Sequence, residues 1–328
     1  MSISIITTGG TITQVLGGPE LRHLGGAELL AGLPEHDGAM PAVEVDDLMD
    51  LPSTHIGPDQ MLHIADAVQR HIARDDVDGV VVTHGTATIE ETIYFVDLIV
   101  NSTKPIVFTG AQRFPGSTGY DGHRNLHDAI VVASSAAVVG LGAVLIFDGE
   151  IHAAREVAEI HPSSTAGFHS LDHGPLGRVD LDQVVVRRTP HRDAAAYPVR
   201  TPLARVDLLT CYAGISGDVV RAVADLGGSG LIIQGMTSGG VPPALVPALR
   251  DVMQRGTVVA LTTRSPSGRV MRRSGDLYDR VPGYGTDLER LGIALTDLAG
   301  LKARCRLIVL LSSSLDRETV HRLMDTAA

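Results

Sequence analysis

The sequence predicts an α/β protein of two domains. The larger, N-terminal one has a mostly parallel sheet flanked by helices, and the smaller, C-terminal one is also α/β. Two observations carry this. Short apolar, β-rich runs alternate with longer amphipathic stretches, the order that builds a parallel sheet covered by helices. The alternation breaks once, at "RRTPHRDAAAYPVRTP" (187–202), where three prolines and several charges stand without an apolar period, and then it restarts. The expected division is residues 1–186, a linker at 187–202, and residues 203–328.

The elements follow in order. "SISII" (2–6), "GVVV" (79–82), "PIVF" (105–108) and "AVLIF" (143–147) read as strands buried on both faces. Between them, "PDQMLHIADAVQRHIARD" (58–75) sets Met61, Ile64, Ala65, Val68 and Ile72 on one helical stripe. "EETIYFVDLIVN" (90–101) and "GHRNLHDAIVVASS" (122–135) give two further helices. After the linker, "RVDLLTCY", "GLIIQG", "TVVALTT" and "RLIVLL" read as strands, and "GDVVRAVADLGG" and "PALVPALRDVMQRG" as helices. In "ADLGGSGLII" a helix ends at glycine before the next strand.

Composition narrows the function classes. Of 328 residues, 44 % are apolar and 20 % charged, which is globular and not disordered. Aromatics are 3 % and tryptophan is absent, so the core is aliphatic. The net charge of −11, with no basic block, argues against nucleic acid as a partner. No apolar run approaches the roughly 20 residues of a membrane span. "MSISIITTGG" has neither a basic segment nor a long apolar one, so no secretory signal is expected. Cys211 and Cys305 form no CxxC pair, and a reducing cytoplasm is the expected compartment.

Chemistry is expected beyond the carboxyl ends of the strands, where open α/β sheets bind ligands. Four such ends carry polar, glycine-bearing turns: "TTGGT" (7–11), "THGTAT" (83–88), "TGAQR" (109–113) and "FDGEIHAAR" (147–155). Each alone is ambiguous. "TTGGT" is a tight turn, a weak phosphate loop without the lysine, or a hydroxyl nucleophile beside backbone N–H groups. In "THGTAT", His84 reads as a satisfied core histidine, and Thr86 and Thr88 as caps for a helix starting near Glu90. "HRNLH" sets His123 and His127 four apart, but Arg124 stands where a metalloprotease needs glutamate, so a solvated helix face is expected and no metal. His161, His169 and His173 show no ligand spacing.

Together, "TTGGTI", "DGVVVTHGTATIEET", "KPIVFTGAQR" and "HGPLG" (173–177) resemble, in order and spacing, the bacterial L-asparaginase/glutaminase family. "GLIIQGMTSGGVPPAL" is similar to that family's C-terminal glycine turn. The resemblance covers nearly the whole chain. It implies an asparaginase-like two-domain fold, no cofactor, and hydrolysis of a side-chain amide to ammonia and a carboxylate. It implies that Thr11 attacks the amide carbonyl. It implies a second triad of threonine, aspartate and lysine whose threonine is Thr86, and a serine, Ser53, that holds the substrate carboxylate. The family forms tetramers of intimate dimers, so a homodimer or homotetramer is expected, with Asp276 and Asp279 as candidates for completing a neighbouring site.

The departures are as informative. The family aspartate is Ala87 here, and the family lysine falls on Glu159. The first loop (13–26) lacks the family tyrosine, the glutamine after the serine is Thr54, and an asparagine in the C-terminal turn is Ser238. Losing only the aspartate would leave a buried cation unpaired, which is costly. This chain changes both partners, as if relocating the negative charge.

The expectation is an amidohydrolase of altered specificity. Thr11, Thr86 and Glu159 are its catalytic residues, and Gly10, Ser53, Thr54, Gly85, Ala87 and Ala111 contact substrate. Backbone N–H groups near Gly10 and Gly85 would form the oxyanion site. Glu159 would act as general base or anchor a cationic part of the substrate. Free L-asparagine should bind poorly, and an amino-blocked substrate or another amide or lactam fits better. The alternatives are an impaired homologue that binds a small amide-bearing ligand as a regulator, and surviving ordinary asparaginase activity.

Overall fold

The computed structural model describes residues 1–15, 22–33, 40–192, 196–272, 283 and 286–327. Contacts divide the chain into two compact units, Met1–Ala196 and Tyr197–Ala328. In the first unit the strands are β1 (Ser2–Thr7), β2 (Gln14–Val15), β3 (Arg22–His23), β4 (Ala42–Asp47), β5 (Gly79–Thr83), β6 (Ile106–Thr109), β7 (Ala143–Phe147), β8 (Glu150–Ala153), β9 (Ala158–Glu159), β10 (Phe168–His169), β11 (Gly177–Asp180) and β12 (Gln183–Val186). Its helices are α1 (Gly26–Ala31), α2 (Pro58–Ile72), α3 (Thr86–Ile99) and α4 (Gly122–Ala133).

Eight of these strands form one sheet in the order β12-β11-β8-β7-β6-β5-β1-β4. The run from β4 to β7 is parallel; β8, β11 and β12 extend it antiparallel. β1, β5, β6 and β7 are buried almost throughout, which is why they read as continuous aliphatic runs without alternation. On one face, Leu126, Ala129, Ile130 and Ala133 of α4 pack with Ile3, Ile5, Val81, Val107 and Val144. α2 starts with Pro58 at its first turn and buries the stripe Met61, Ile64, Ala65, Val68 and Ile72.

The register matters most for the site. Asp47, Thr7, Thr83 and Thr109 lie side by side across β4, β1, β5 and β6. The chain therefore leaves three neighbouring strands at the same level. The polar turns after β1, β5 and β6 are set next to one another by backbone pairing alone.

"FDGEIHAAR" differs from its expectation. Asp148 and Gly149 both have positive φ, 48° and 75°, and make the tight turn between β7 and antiparallel β8. This is a hairpin turn and not a strand end opening toward a crossover helix. Residues 187–192, expected within the linker, are held to the first unit by Arg188 on Glu156 and Arg192 on Asp97.

The second unit has β13 (Val206–Thr210), β14 (Gly230–Gly235), β15 (Val258–Thr263) and β16 (Ala294–Leu295) in one parallel sheet in that order. Its helices are α5 (Gly217–Asp225), α6 (Leu245–Gln254), α7 (Thr286–Arg290), α8 (Gly300–Ser312) and α9 (Arg317–Met324). α5 stops as expected, with Gly227 at φ 83° just beyond its end. "RLIVLL" is not a strand: it lies in α8. Leu307, Ile308, Val309 and Leu310 are all buried within that helix, and an apolar run buried on every side carries no period that separates helix from strand. No helix among the described residues is long and apolar enough to cross a membrane.

Candidate active site

The turn after β1 is built on close approach. Gly10 has φ 88°, and a Cβ there would stand 2.6 Å from the Gly85 nitrogen. A Cβ on Gly85 would stand 2.5 Å from Ser53 Oγ and 2.7 Å from Ser53 Cβ. Only glycine permits these backbones to touch. Three expected site residues from three segments thus meet in van der Waals contact.

Around this contact the turns are tied by hydrogen bonds. The Thr8 N–H and hydroxyl both donate to the Thr83 carbonyl, at 3.2 and 2.9 Å. Thr13 N–H and Oγ1 donate to the Gly10 carbonyl at 3.1 and 2.9 Å, closing the turn that carries Thr11. Thr11 itself is partly exposed. Ser53 lies in a short 3-10 turn, Ser53–His55, and is buried, whereas Thr54 beside it is exposed. Thr88 Oγ1 donates to the Ser53 carbonyl at 2.8 Å and pins that turn to α3.

α3 begins at Thr86, four residues before the expected start. Its N-cap is Gly85, with no side-chain cap and no acidic residue in the first turn. The threonines are therefore not caps: Thr86 is the first helical residue, and Thr88 spends its hydroxyl on Ser53. Ala87 faces solvent on this first turn. A helix start left so open offers N–H groups and a partial positive charge to an anion.

His84 is fully buried. Its Nδ1 lies 2.8 Å from the Gly85 carbonyl, and its Nε2 has no hydrogen-bond partner. Burial pushes its pKa down to about 4, so the ring is neutral near pH 7. The expected satisfied core histidine is half satisfied.

The turn after β6 brings in Glu159. Gln112 Nε2 donates to Glu159 Oε1 at 2.7 Å, and the Glu159 N–H donates to Glu90 Oε2 at 3.1 Å. Glu90 stands one turn beyond Thr86, on the same side of α3. Glu159, on the short strand β9, therefore lies alongside the helix that carries Thr86 and Ala87. Ala111, in the same turn as Gln112, is buried.

Residues not singled out from the sequence organise these turns. Asp121 accepts from the N–H groups of Gln112 and Arg113, both at 3.0 Å. Asn125 donates to the Gly110 carbonyl at 3.0 Å and accepts from Asp148 N–H at 3.2 Å. Tyr120 reaches back to Ile12. The only available signal was their place at the start of α4, after a long polar loop. The "HRNLH" face is not solvated as expected: His127 is buried beside Asp128, and His123 packs edge-on to Tyr120 at 4.8 Å. Among the described residues no group of three His, Cys, Asp or Glu could hold a metal ion. Ser238 sits in a tight turn of the second unit closed by Met236 and Gly240. Asp276 and Asp279 lie outside the described residues.

The family model for the asparaginase N-terminal domain matches residues 2–192, and that for the glutaminase/asparaginase C-terminal domain matches residues 205–324. The chain is 34 % identical over 324 residues to an L-asparaginase of Bacillus licheniformis, covering 95 % of each. It is 32 % identical to a probable L-asparaginase of Deinococcus radiodurans, covering 98 % of this chain and 96 % of the other. A glutaminase-asparaginase of Pseudomonas fluorescens is 29 % identical, with 98 % and 89 % covered.

Proposed function

The chain belongs to the asparaginase family of amidohydrolases, and from that premise we propose that it cleaves a small amide with Thr11 as nucleophile. The observation that supports this most is the contact of Gly10, Gly85 and Ser53, with Thr11 and Thr86 flanking it. Thr11 Oγ1 bonds to the amide carbon, the C–N bond breaks as the nitrogen takes up the proton that Glu159 received and leaves as ammonia or an amine, and water then hydrolyses the Thr11 ester, releasing the carboxylate and restoring the hydroxyl. Backbone N–H groups near Gly10 and Gly85 receive the oxyanion, where fixed donors are worth most. The uncapped start of α3 favours the same negative charge. Ser53 holds the substrate carboxylate. Glu159 takes the proton of the attacking hydroxyl, directly or through water, and Gln112 orients it.

The substrate is an amide without a free α-ammonium group, or an amide or lactam other than asparagine. What supports this is the methyl group of Ala87, where the resembling enzymes hold an ammonium-binding carboxylate, on an exposed first turn with no acidic residue. The second reading is ordinary L-asparaginase, favoured by the names of the relatives at 34 % and 32 % identity. A panel of L-asparagine, L-glutamine, N-acetyl-asparagine and simple lactams, scored by ammonia or amine release, separates them. Asparagine turned over best of all would sink the first.

Thr11→Ala should abolish turnover of the preferred substrate; retained activity removes the nucleophile assignment. Glu159→Gln should lower kcat by about 10²-fold or more with KM little changed, as for a lost general base. A rise in KM confined to cationic substrates would instead make Glu159 an anchor. We also read the protein as a cytoplasmic homodimer or homotetramer. Two cysteines far apart in sequence and in no CxxC pair suit a reducing compartment, and a monomer mass by light scattering would overturn the assembly.

A further inference from the structure

The consecutive residues Tyr120 and Asp121 stand at the entrance of α4 and grip two different turns of the site. Tyr120 Oη donates to the Ile12 carbonyl at 2.8 Å, one residue beyond Thr11 and 108 residues away in sequence. Asp121 Oδ1 accepts from Arg113 N–H, and its Oδ2 accepts from Gln112 N–H and from Asn125 Nδ2 at 3.2 Å. Gln112 in turn donates to Glu159. We propose that Tyr120 and Asp121 are a positioning pair that fixes the Thr11 turn relative to Glu159. The proposal rests on the roles of Thr11 and Glu159 given above.

The pair is well founded for this. α4 is anchored through Leu126, Ala129, Ile130 and Ala133 in the core, so both grips refer to one rigid body. The Tyr120 ring folds back over its own chain, and a Cβ on Gly122 would stand 2.5 Å from the ring carbon Cε2. Glycine at 122 is what leaves room for the ring. The ring packs against the core cluster and edge-on to His123.

Neither residue is placed to do chemistry. The Tyr120 hydroxyl is committed to a carbonyl, and burial raises its pKa further above the physiological range. It is a donor and not a proton acceptor. The Asp121 carboxylate is occupied by three N–H donors. Their effect passes through geometry: misplacing reacting groups by about 1 Å can cost on the order of 10²-fold in rate.

The test uses the full chain with Tyr120→Phe, which keeps the ring, and Asp121→Asn, which keeps the shape. Amide hydrogen exchange and steady-state amide hydrolysis are both read. Tyr120→Phe should accelerate exchange at Thr13 and Gln14 about tenfold, leave β5 and β6 protected, and lower kcat about tenfold with KM within about twofold. Asp121→Asn should accelerate exchange at Gln112 and Arg113 and lower kcat likewise. Unchanged exchange in the Thr11 turn overturns the proposal, whether kcat is kept or lost. Faster exchange with kcat unchanged also overturns it. If the unmodified protein hydrolyses no amide in the panel, the Thr11 reading fails by itself, and local exchange still decides whether the pair holds the turns.

Discussion

At position 87 the first turn of α3 carries a methyl group facing solvent, and the neighbouring strand β9 carries Glu159. The two positions belong to one neighbourhood, because the Glu159 backbone is bonded to Glu90 a turn further along α3. A carboxylate on 87 would sit at the positive end of the helix and stabilise it by about 0.3–1 kcal/mol. Its absence is therefore not explained by helix stability, which favours the acid. The prediction at this scale is a double exchange. Ala87→Asp with Glu159→Lys should raise hydrolysis of free L-asparagine by about tenfold or more over the starting chain, followed by ammonia release. No gain would move the origin of specificity to the loop at 13–26.

Among the elements, α3 sets the position of the turn that holds Ser53. It starts where β5 ends, and Thr88 reaches from it to the turn holding Ser53. Thr88→Val keeps the shape and deletes the donor. It should cost about 1 kcal/mol in urea unfolding and raise KM about fivefold while kcat changes less. An unchanged KM would show that Ser53 needs no such support. The helix start escaped sequence reading because Gly85 supplies no side-chain cap and Ala87 breaks the polar pattern. "RLIVLL" mimics a strand for a related reason. Arg306 to Leu310 are buried without interruption within α8, so the apolar run carries no period.

For the molecule as a whole, two buried histidines set an acid limit. Burial lowers the pKa of His84 to about 4, and burial likewise lowers that of His152 to about 4. An unfolded histidine titrates near 6.5. Between about pH 6.5 and 4 the unfolded chain therefore binds more protons. Their contribution is fully present above pH 6.5 and is lost as pH falls to about 4, on the order of 3 kcal/mol for each ring at the limit. Unfolding by urea from pH 7.5 down to 4.5 should show this decline. His152→Gln, which retains hydrogen-bonding capacity toward Ser170, should flatten it. A stability constant down to pH 5 would contradict it.

The aliphatic runs, the turn-forming glycines and the ordered motifs were enough to indicate a two-domain α/β chain of the asparaginase family, since burial on both faces and tight turns impose those residues locally. The same motifs mark Ala87 and Glu159 as an expected paired departure from that family. What the chain could not disclose was contact across it. Parallel register lines up Thr7, Thr83 and Thr109 and so brings Gly10 against Gly85. The helix entrance at Tyr120 and Asp121 then ties those turns to Glu159 through Ile12 and Gln112. Such links join residues from nine to over a hundred positions apart and leave no periodic trace, because each depends on where packing sets a backbone and not on the residues beside it.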